Sequence, residues 1–425
     1  MYPLAGAILL LLVHFGAADG LLLVHFGAAD GQTDDSYTLN LIDLKRYPKA
    51  VCLDSTPGAF YTRTGTQKDK YLLHLQGGAW CGKQNDCAGR ALTALGTSSE
   101  AFWPRQVSCP PGGTGTPMVC SFDGGNGGIF SSNATINPLM STWNHAFAVY
   151  CDGGSFSGNV TPPFSYNNTS YYLRGSYILE AIIGTLLTDF GASSATDFVL
   201  NGNSAGGLAV YLAADRVSAQ LHASNPTLRV TALPDSGFFM DVNSYLGTRN
   251  LLESFQQIYS FHRSVVNAGC LAAQSPATAW QCFYPQYALP YIQTPLFVAQ
   301  TFGDSWQQGP VMRLPCPLHE CWTNESMWSG GVQTYVAGFR QQMLHFLLPV
   351  LNSSGHHGGF IAGCDEHGIA GYDGAWSKWA VANQSMAETF AAWYGGDAVL
   401  PHSLVEGEWP LPWALPNPTC KYYQS

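Results

Sequence analysis

Charge is scarce in this chain. Asp, Glu, Lys and Arg make up 11% of 425 residues, with 18 Lys and Arg against 28 Asp and Glu. A formal net charge of −10 leaves no sheet-wide basic surface, which argues against nucleic acid as a partner. A polyanionic substrate would need a local basic patch, because the overall field opposes it. No Lys or Arg precedes Lys45, so the N-terminus lacks the positive region that usually opens a targeting segment. The early apolar run is interrupted by His14, Asp19, His25 and Asp30, which argues against a membrane anchor. Cys81-x5-Cys87 and Cys316-x4-Cys321 have no matching Cys/His pair at zinc-finger spacing, so no metal site is expected. No linker separates two domains. The 11-residue unit LLLVHFGAADG occurs only at 10–20 and 21–31, short of the three stacked copies a repeat fold needs.

What is present suits a folded, exported protein. The chain is 46% hydrophobic and 13% aromatic. Leu4 to Val13 is an apolar core, and small residues near Ala18 and Ala29 offer cleavage sites, so residues 1–31 read as a signal peptide with a duplicated segment. Residues 32–425 then form a single domain. Twelve Cys, an even number, fit an extracellular disulfide-bearing protein. Sequons begin at Asn133, Asn159, Asn167, Asn168, Asn324, Asn352 and Asn383. The pairing adopted is local for 81–87, 109–120, 270–282 and 316–321, and long-range for 52–151 and 364–420. Export leads to a secreted or cell-wall location, with no stable membrane association.

Six apolar runs read as strands: within 70–81, 145–159, 197–204, 228–239, 294–306 and 358–368. Residues 173–191 have helical spacing at Ile178, Ile182, Leu186 and Leu187 and stop at Gly191. A second helix starts at Leu208. Strands alternating with helices predict an α/β fold, a mostly parallel central sheet with helices on both faces. Residues 104–118, rich in Pro and Gly, read as a surface insertion. Residues 240–292 read as a helical, aromatic cap.

The stretch DFVLNGNSAGGL places Ser204 between an apolar strand and a helix. A serine hydroxyl is a weak nucleophile without a neighbouring base. Gly-x-Ser-x-Gly on a strand-to-helix turn lifts the hydroxyl above the sheet, and the helix aims backbone N–H groups at developing negative charge. The alternative is a helix N-cap serine in a tight turn. The order Ser, acid, His of α/β-hydrolases calls for an acid after a late strand and a terminal histidine. Asp304 and His367 occupy such places. Asp235, Asp365 and Asp373 compete as acids, and His356 and His357 as bases. Asp235 also reads as a turn carboxylate that caps backbone N–H groups. QGGAWC offers close backbone approach at Gly77, Gly78 and Ala79 for an oxyanion hole completed by the N–H of Ala205. Trp80 and Phe239 are candidates to line an acyl pocket, or are ordinary core aromatics.

With these residues in hand, the chain resembles the pectin acetylesterase/Notum family of secreted carboxylesterases. The ordered blocks VCLDSTPGAFY, HLQGGAWC, YCDGGSFSGN, LRGSYI, LNGNSAGGL, LPDSGFF, CFYPQY, TPLFVAQTFGDSWQ and GCDEHG carry the resemblance from Val51 to Tyr394. It implies an α/β-hydrolase-like fold with nucleophile Ser204, acid Asp304 and base His367, which favours Asp304 over Asp235. It implies oxyanion donors at Gly78, Ala79 and Ala205, and no cofactor. Family members usually carry Glu at Gln76, plant-type members often have Cys at Gly368, and Asn159 stands where they commonly have Asp. The Ala79-Trp80 pair is nearer the plant type than Notum. The expected activity is release of acetate from acetylated, pectin-like polysaccharide through an acyl-enzyme. Arg174 or Arg90 would compensate locally for a polygalacturonate chain, or form surface salt bridges. A Notum-like esterase acting on a long protein-bound acyl chain is the alternative, and a catalytically dead glycan-binding protein is the third reading.

Overall fold

A computed structural model describes residues 36–108, 127–323, 327, 330–352, 356–407 and 417–423. The expected signal peptide and its duplication, the sequon at Asn324 and the 109–120 bridge lie outside them.

Ten strands form one sheet. In chain order they are β1 (Ser36–Leu41), β2 (Ala59–Arg63), β3 (Gln67–Leu75), β4 (Gln106–Ser108), β5 (Trp143–Ala148), β6 (Asp197–Asn203), β7 (Arg229–Asp235), β8 (Phe297–Thr301), β9 (Gly358–Ala362) and β10 (Ser403–Val405). Across the sheet they run β10-β9-β8-β7-β6-β3-β5-β2-β1-β4. The seven strands from β10 to β5 are mutually parallel. β2, β1 and β4 complete one edge in antiparallel fashion. The six expected strands are all present, and the α/β class is as the sequence predicted. Four strands were not foreseen. Part of the expected 104–118 insertion is strand β4, paired with β1 from Ser36↔Ser108 to Thr38↔Gln106.

β6 shows why the parallel strands read so clearly. All seven of its residues are buried, which is how a strand covered on both faces reads in sequence. Side chains alternate across the pleat. Val199 joins a core containing Leu72, Leu233, Phe297 and Phe360. Phe198 and Leu200 join another containing Leu73, Ala232, Val298 and Ile361. Each such fully buried large apolar side chain stabilises the fold by roughly 1.5–3 kcal/mol relative to exposure.

The principal helices are α1 (Gln84–Arg90), α2 (Gly175–Asp189), α3 (Ala205–Ser224), α4 (Asn250–His262), α5 (Gly330–Leu351) and α6 (Met386–Gly395). α2 ends as expected, with Gly191 left-handed at φ 81°. α3 starts three residues before the expected Leu208. α5 was not foreseen, because Gly338 and Pro349 are poor helix residues inside it. Its buried Val332, Val336, Phe339, Met343, Leu347 and Leu351 nevertheless follow helical spacing. The 240–292 region holds α4 and several short helices, in line with its helical reading.

Bridges join Cys52–Cys151, Cys81–Cys87, Cys270–Cys282, Cys316–Cys321 and Cys364–Cys420. These are five of the six expected pairs. The Cys364 bridge forms although Gly368 stands where plant-type relatives often have cysteine. Among the described residues, no helix is long and apolar enough to cross a membrane.

The topology changes direction at β3. β5 lies on one side of it and β6 on the other, and every later parallel strand continues away from β6. Ligand sites in open α/β sheets collect outside the carboxyl ends of strands at such a switch. The carboxyl ends of β3 and β6 carry the QGGAW loop and Ser204.

Candidate active site

Ser204 sits between β6 and α3 with φ 57° and ψ −122°, a conformation closed to most L-residues and kept only where neighbours enforce it. Its N–H donates to Asp235 O at 2.9 Å. Its carbonyl accepts the Leu208 N–H at 2.8 Å, closing the first turn of α3. That bond turns the Ser204–Ala205 peptide so that the Ala205 N–H faces out of the helix N-terminus. A methyl on Gly206 would lie 1.9 Å from Leu75 O, so the turn needs glycine for close approach to β3. A methyl on Gly77 would lie 2.8 Å from Ser204 Cβ, which puts the QGGAW backbone directly against the serine. Gly78 has φ 141° and Ala79 φ 53°.

Asp304 is fully buried just beyond β8. Its carboxylate accepts from Gln307 N–H at 2.9 Å, from Gln300 Nε2 at 3.1 Å and from His367 Nδ1 at 2.9 and 3.0 Å. Three donors hold the carboxylate, and the third fixes which imidazole nitrogen carries its proton toward it.

The loop of His367 is tied down residue by residue. Glu366 O accepts Thr301 Oγ at 2.8 Å, and Gly368 N–H donates to Ser236 Oγ at 2.9 Å. Ile369 and Ala370 N–H groups donate to the two Asp235 carboxylate oxygens at 3.0 and 2.8 Å. Gly368 packs against Asn203, the neighbour of Ser204. Burial raises the Asp235 carboxyl pKa, while these N–H donors and the Ser236 hydroxyl act against that. The turn-carboxylate reading of Asp235 is therefore the one realised.

The other competitors are also engaged elsewhere. Asp365 accepts from His319 Nδ1 at 2.8 Å and His319 N–H at 2.9 Å. Asp373 accepts the Gly128 N–H at 2.7 Å. His356 and His357 stand before β9, at the opposite end of that strand from His367. His357 Nδ1 accepts the Leu296 N–H at 3.1 Å, and burial lowers its pKa to about 4.

Trp80 and Phe239 meet at 5.1 Å between ring centroids. Trp306, which the sequence reading did not single out, lies 5.7 Å from Trp80 and 5.1 Å from Phe239. Phe239 and Trp306 flank the His367 ring at 6.4 and 6.1 Å. Phe239 is fully buried, and Trp80 is half-buried. Trp80 Nε1 donates to Ser155 Oγ at 2.7 Å, and Ser155 Oγ donates to Ala205 O at 2.7 Å. The position of Trp306, two residues after Asp304, was the available signal.

Gln76 is fully buried, and its Oε1 accepts the Tyr150 N–H at 2.8 Å, a bond a Glu carboxylate would also accept. Among the described residues, neither Arg90 nor Arg174 is in a salt bridge. Arg90 donates to Gly78 O and Leu95 O, and Arg174 is buried over the Tyr172 ring. Both are engaged by main-chain or aromatic partners. Among the described residues, the one Cys/His/Asp/Glu cluster compact enough for a metal ion is Cys81, Cys87 and His262, and its cysteines are joined to each other.

The sheet, the switch point and the strand-turn-helix at Ser204 define the class: an α/β-hydrolase-like enzyme. A family model for pectinacetylesterase matches residues 31–110 and 117–421, and the chain belongs to that family. It is a carboxylic ester hydrolase. Pectin acetylesterase 5 of Arabidopsis thaliana is 29% identical over 399 residues, covering 91% of this chain and 85% of the relative. Pectin acetylesterase 7 of the same plant is 29% identical over 384 residues, with 87% and 89% covered. Human palmitoleoyl-protein carboxylesterase NOTUM is 27% identical over 390 residues, covering 87% of this chain and 70% of the relative.

Proposed function

We propose that this protein is a secreted serine esterase that removes acetyl groups from polysaccharide through a Ser204–His367–Asp304 acyl-enzyme mechanism. The observation that carries the reading is the His367 Nδ1–Asp304 pair at 2.9 and 3.0 Å, on a loop packed against the strained Ser204 turn. His367 Nε2 takes the Ser204 proton as Oγ attacks the ester carbonyl. The N–H groups of Gly78, Ala79 and Ala205 hold the oxyanion. His367 then protonates the leaving sugar hydroxyl and activates water for deacylation, while Asp304 stabilises the imidazolium. No cofactor enters these steps.

A short acyl group is supported by the edge-to-face contacts of Trp80 with Phe239 and Trp306, two rings that pack against His367, with centroids 5.1–5.7 Å apart. Rings at that spacing touch, and no methylene chain passes between them. Five disulfides and an apolar N-terminal leader support export. With Arg90 and Arg174 turned inward, a neutral acetylated glycan fits the −10 net charge better than a polygalacturonate does.

The test is acetate release from acetylated pectin, xylan and mannan by wild type and Ser204→Ala, with nitrophenyl acetate and palmitate in parallel. Acetate release that vanishes in Ser204→Ala supports the reading. Undiminished hydrolysis by that variant sinks the nucleophile, and preference for palmitate favours the Notum-like alternative. Failure of a fluorophosphonate to label folded wild type would favour a glycan-binding protein.

A further inference from the structure

Arg90 lies at the end of α1, a seven-residue helix tied to the QGGAWC loop by the Cys81–Cys87 bridge. Its Nη2 donates to Gly78 O at 2.7 Å and its Nε to Leu95 O at 3.0 Å. The guanidinium carbon stands 5.0 Å from the centroid of the Tyr150 ring, within range of a favourable cation–π contact. Tyr150 OH in turn donates to Ala79 O at 2.8 Å and accepts the Ser155 N–H at 3.0 Å. Two consecutive carbonyls of the loop are therefore each held by one side chain, and the two side chains stack on each other.

The consequence follows from peptide geometry. In a planar trans peptide the C=O and the N–H point in opposite directions. Holding Gly78 O toward Arg90 turns the Ala79 N–H away from Arg90. Holding Ala79 O toward Tyr150 does the same for the Trp80 N–H. Neither Gly78 at φ 141° nor Ala79 at φ 53° rests in a conformation that its own sterics would fix in place. The loop needs outside restraint, and these two bonds supply it. A cation on the carbonyl side also polarises the amide, which strengthens the N–H on the far side as a donor.

We infer that Arg90 is a positioning residue for ester hydrolysis: it orients and polarises the Gly78–Ala79 peptide so that the Ala79 N–H is a stronger donor to the transition-state oxyanion. The inference rests on the proposed serine mechanism and adds to it a residue that never touches substrate.

A charge that acts through the oxyanion donor affects the tetrahedral state more than the bound ester. Deleting one oxyanion donor outright costs about 100- to 1,000-fold in kcat, so weakening and misaligning one is expected to cost roughly 10- to 100-fold. Arg90→Met keeps much of the stem that packs over Tyr150 and removes the charge and both donors. Arg90→Lys keeps the charge but on one nitrogen, which cannot span both carbonyls as the planar guanidinium does. Wild type, both variants and Ser204→Ala are assayed on nitrophenyl acetate. An alkylboronic acid serves as tetrahedral mimic on Ser204, and acetate serves as ground-state ligand. For Arg90→Met the expected result is kcat down roughly 10- to 100-fold with KM and acetate inhibition unchanged, and boronate affinity down by the same factor. Arg90→Lys falls between Arg90→Met and wild type. A kcat loss without a matching boronate loss, or equal losses for acetate and boronate, overturns the inference in favour of a merely structural arginine. If Arg90→Met does not fold, Arg90→Lys carries the same comparison, and unchanged boronate affinity there overturns it. Wild-type turnover in Ser204→Ala would defeat the underlying mechanism, whereas a dead Ser204→Ala beside a fully active Arg90→Met defeats only the role of Arg90.

Discussion

Replacing Trp80 with Ala should change which acyl chains the enzyme accepts. Trp80 touches Phe239, Phe255 and Trp306 at centroid distances of 5.1, 5.0 and 5.7 Å. Its removal opens a space beside His367 lined by aromatic faces. A methylene buried in such a space is worth about 0.8 kcal/mol, or roughly fourfold in kcat/KM. Hexanoate carries four more methylenes than acetate, so the hexanoate-to-acetate ratio should rise by up to about 200-fold if all four are buried. The acetate reaction itself should weaken moderately, because the Nε1 bond to Ser155 goes too and Ser155 supports Ala205 O. Loss of a half-buried aromatic should destabilise the fold by about 3 kcal/mol, at the low end for such truncations. Trp80→Phe separates the two effects, since it loses the hydrogen bond but keeps most of the ring. The assay is kcat/KM for nitrophenyl acetate, butanoate and hexanoate with all three proteins, after urea unfolding has shown each to be folded. A ratio unchanged from wild type in Trp80→Ala would refute the aromatic restriction, as would a wild type that already prefers hexanoate.

Asp304→Asn should lower kcat by about 10,000-fold, because an amide can present an N–H to His367 Nδ1 and favour the wrong tautomer; single-turnover acylation rates check this, and a loss under tenfold would remove Asp304 from its role. His262 is fully buried, with Nε2 donating to Cys81 O and burial lowering its pKa to about 4. The unfolded ring binds a proton below about 6.5 and the folded ring does not, so this site stabilises the fold above pH 6.5. That contribution, about 3 kcal/mol at 1.36 kcal/mol per pKa unit, is lost as pH falls toward 4. Burial pushes the Asp152 carboxyl up to about 6, which gives the opposite slope between about pH 4 and 6. The difference between wild type and His262→Gln therefore isolates the histidine; urea unfolding at pH 7 and 4.5 should show a shallower loss in the variant, and parallel losses would refute the assignment. Gly206→Ala should prevent accumulation of soluble protein, since the new methyl meets Leu75 O at 1.9 Å; a soluble variant with wild-type melting would contradict the tight turn.

Six of the seven parallel strands were legible because burial on both faces leaves runs such as Phe198-Val199-Leu200 with no polar interruption, whereas β10 is only three residues long. Ser204, Asp304 and His367 were candidates from chain order and strand ends, and the structure brings Asp304 and His367 into direct contact. The antiparallel edge was harder. β4 is three residues long and β1 is only half-buried, so neither carries a strong period. α5 was missed because intrinsic propensity argued against it while packing decided for it. Tyr150 and the role of Arg90 were hidden for another reason. Arg90 and Tyr150 act on main-chain carbonyls, and a carbonyl has no residue letter to match. Arg90 was read as a surface or substrate cation because sequence gives its charge without its direction.

Asp235 has a consequence for motion. Its main-chain oxygen holds the Ser204 N–H, and its side chain holds the backbone two and three residues beyond His367. One residue of a central strand thus grips the turn that carries the hydroxyl and the loop that carries the imidazole. Serine and histidine therefore ride on a common mount, and their separation cannot change by hinge or slide without tearing bonds made by that one residue.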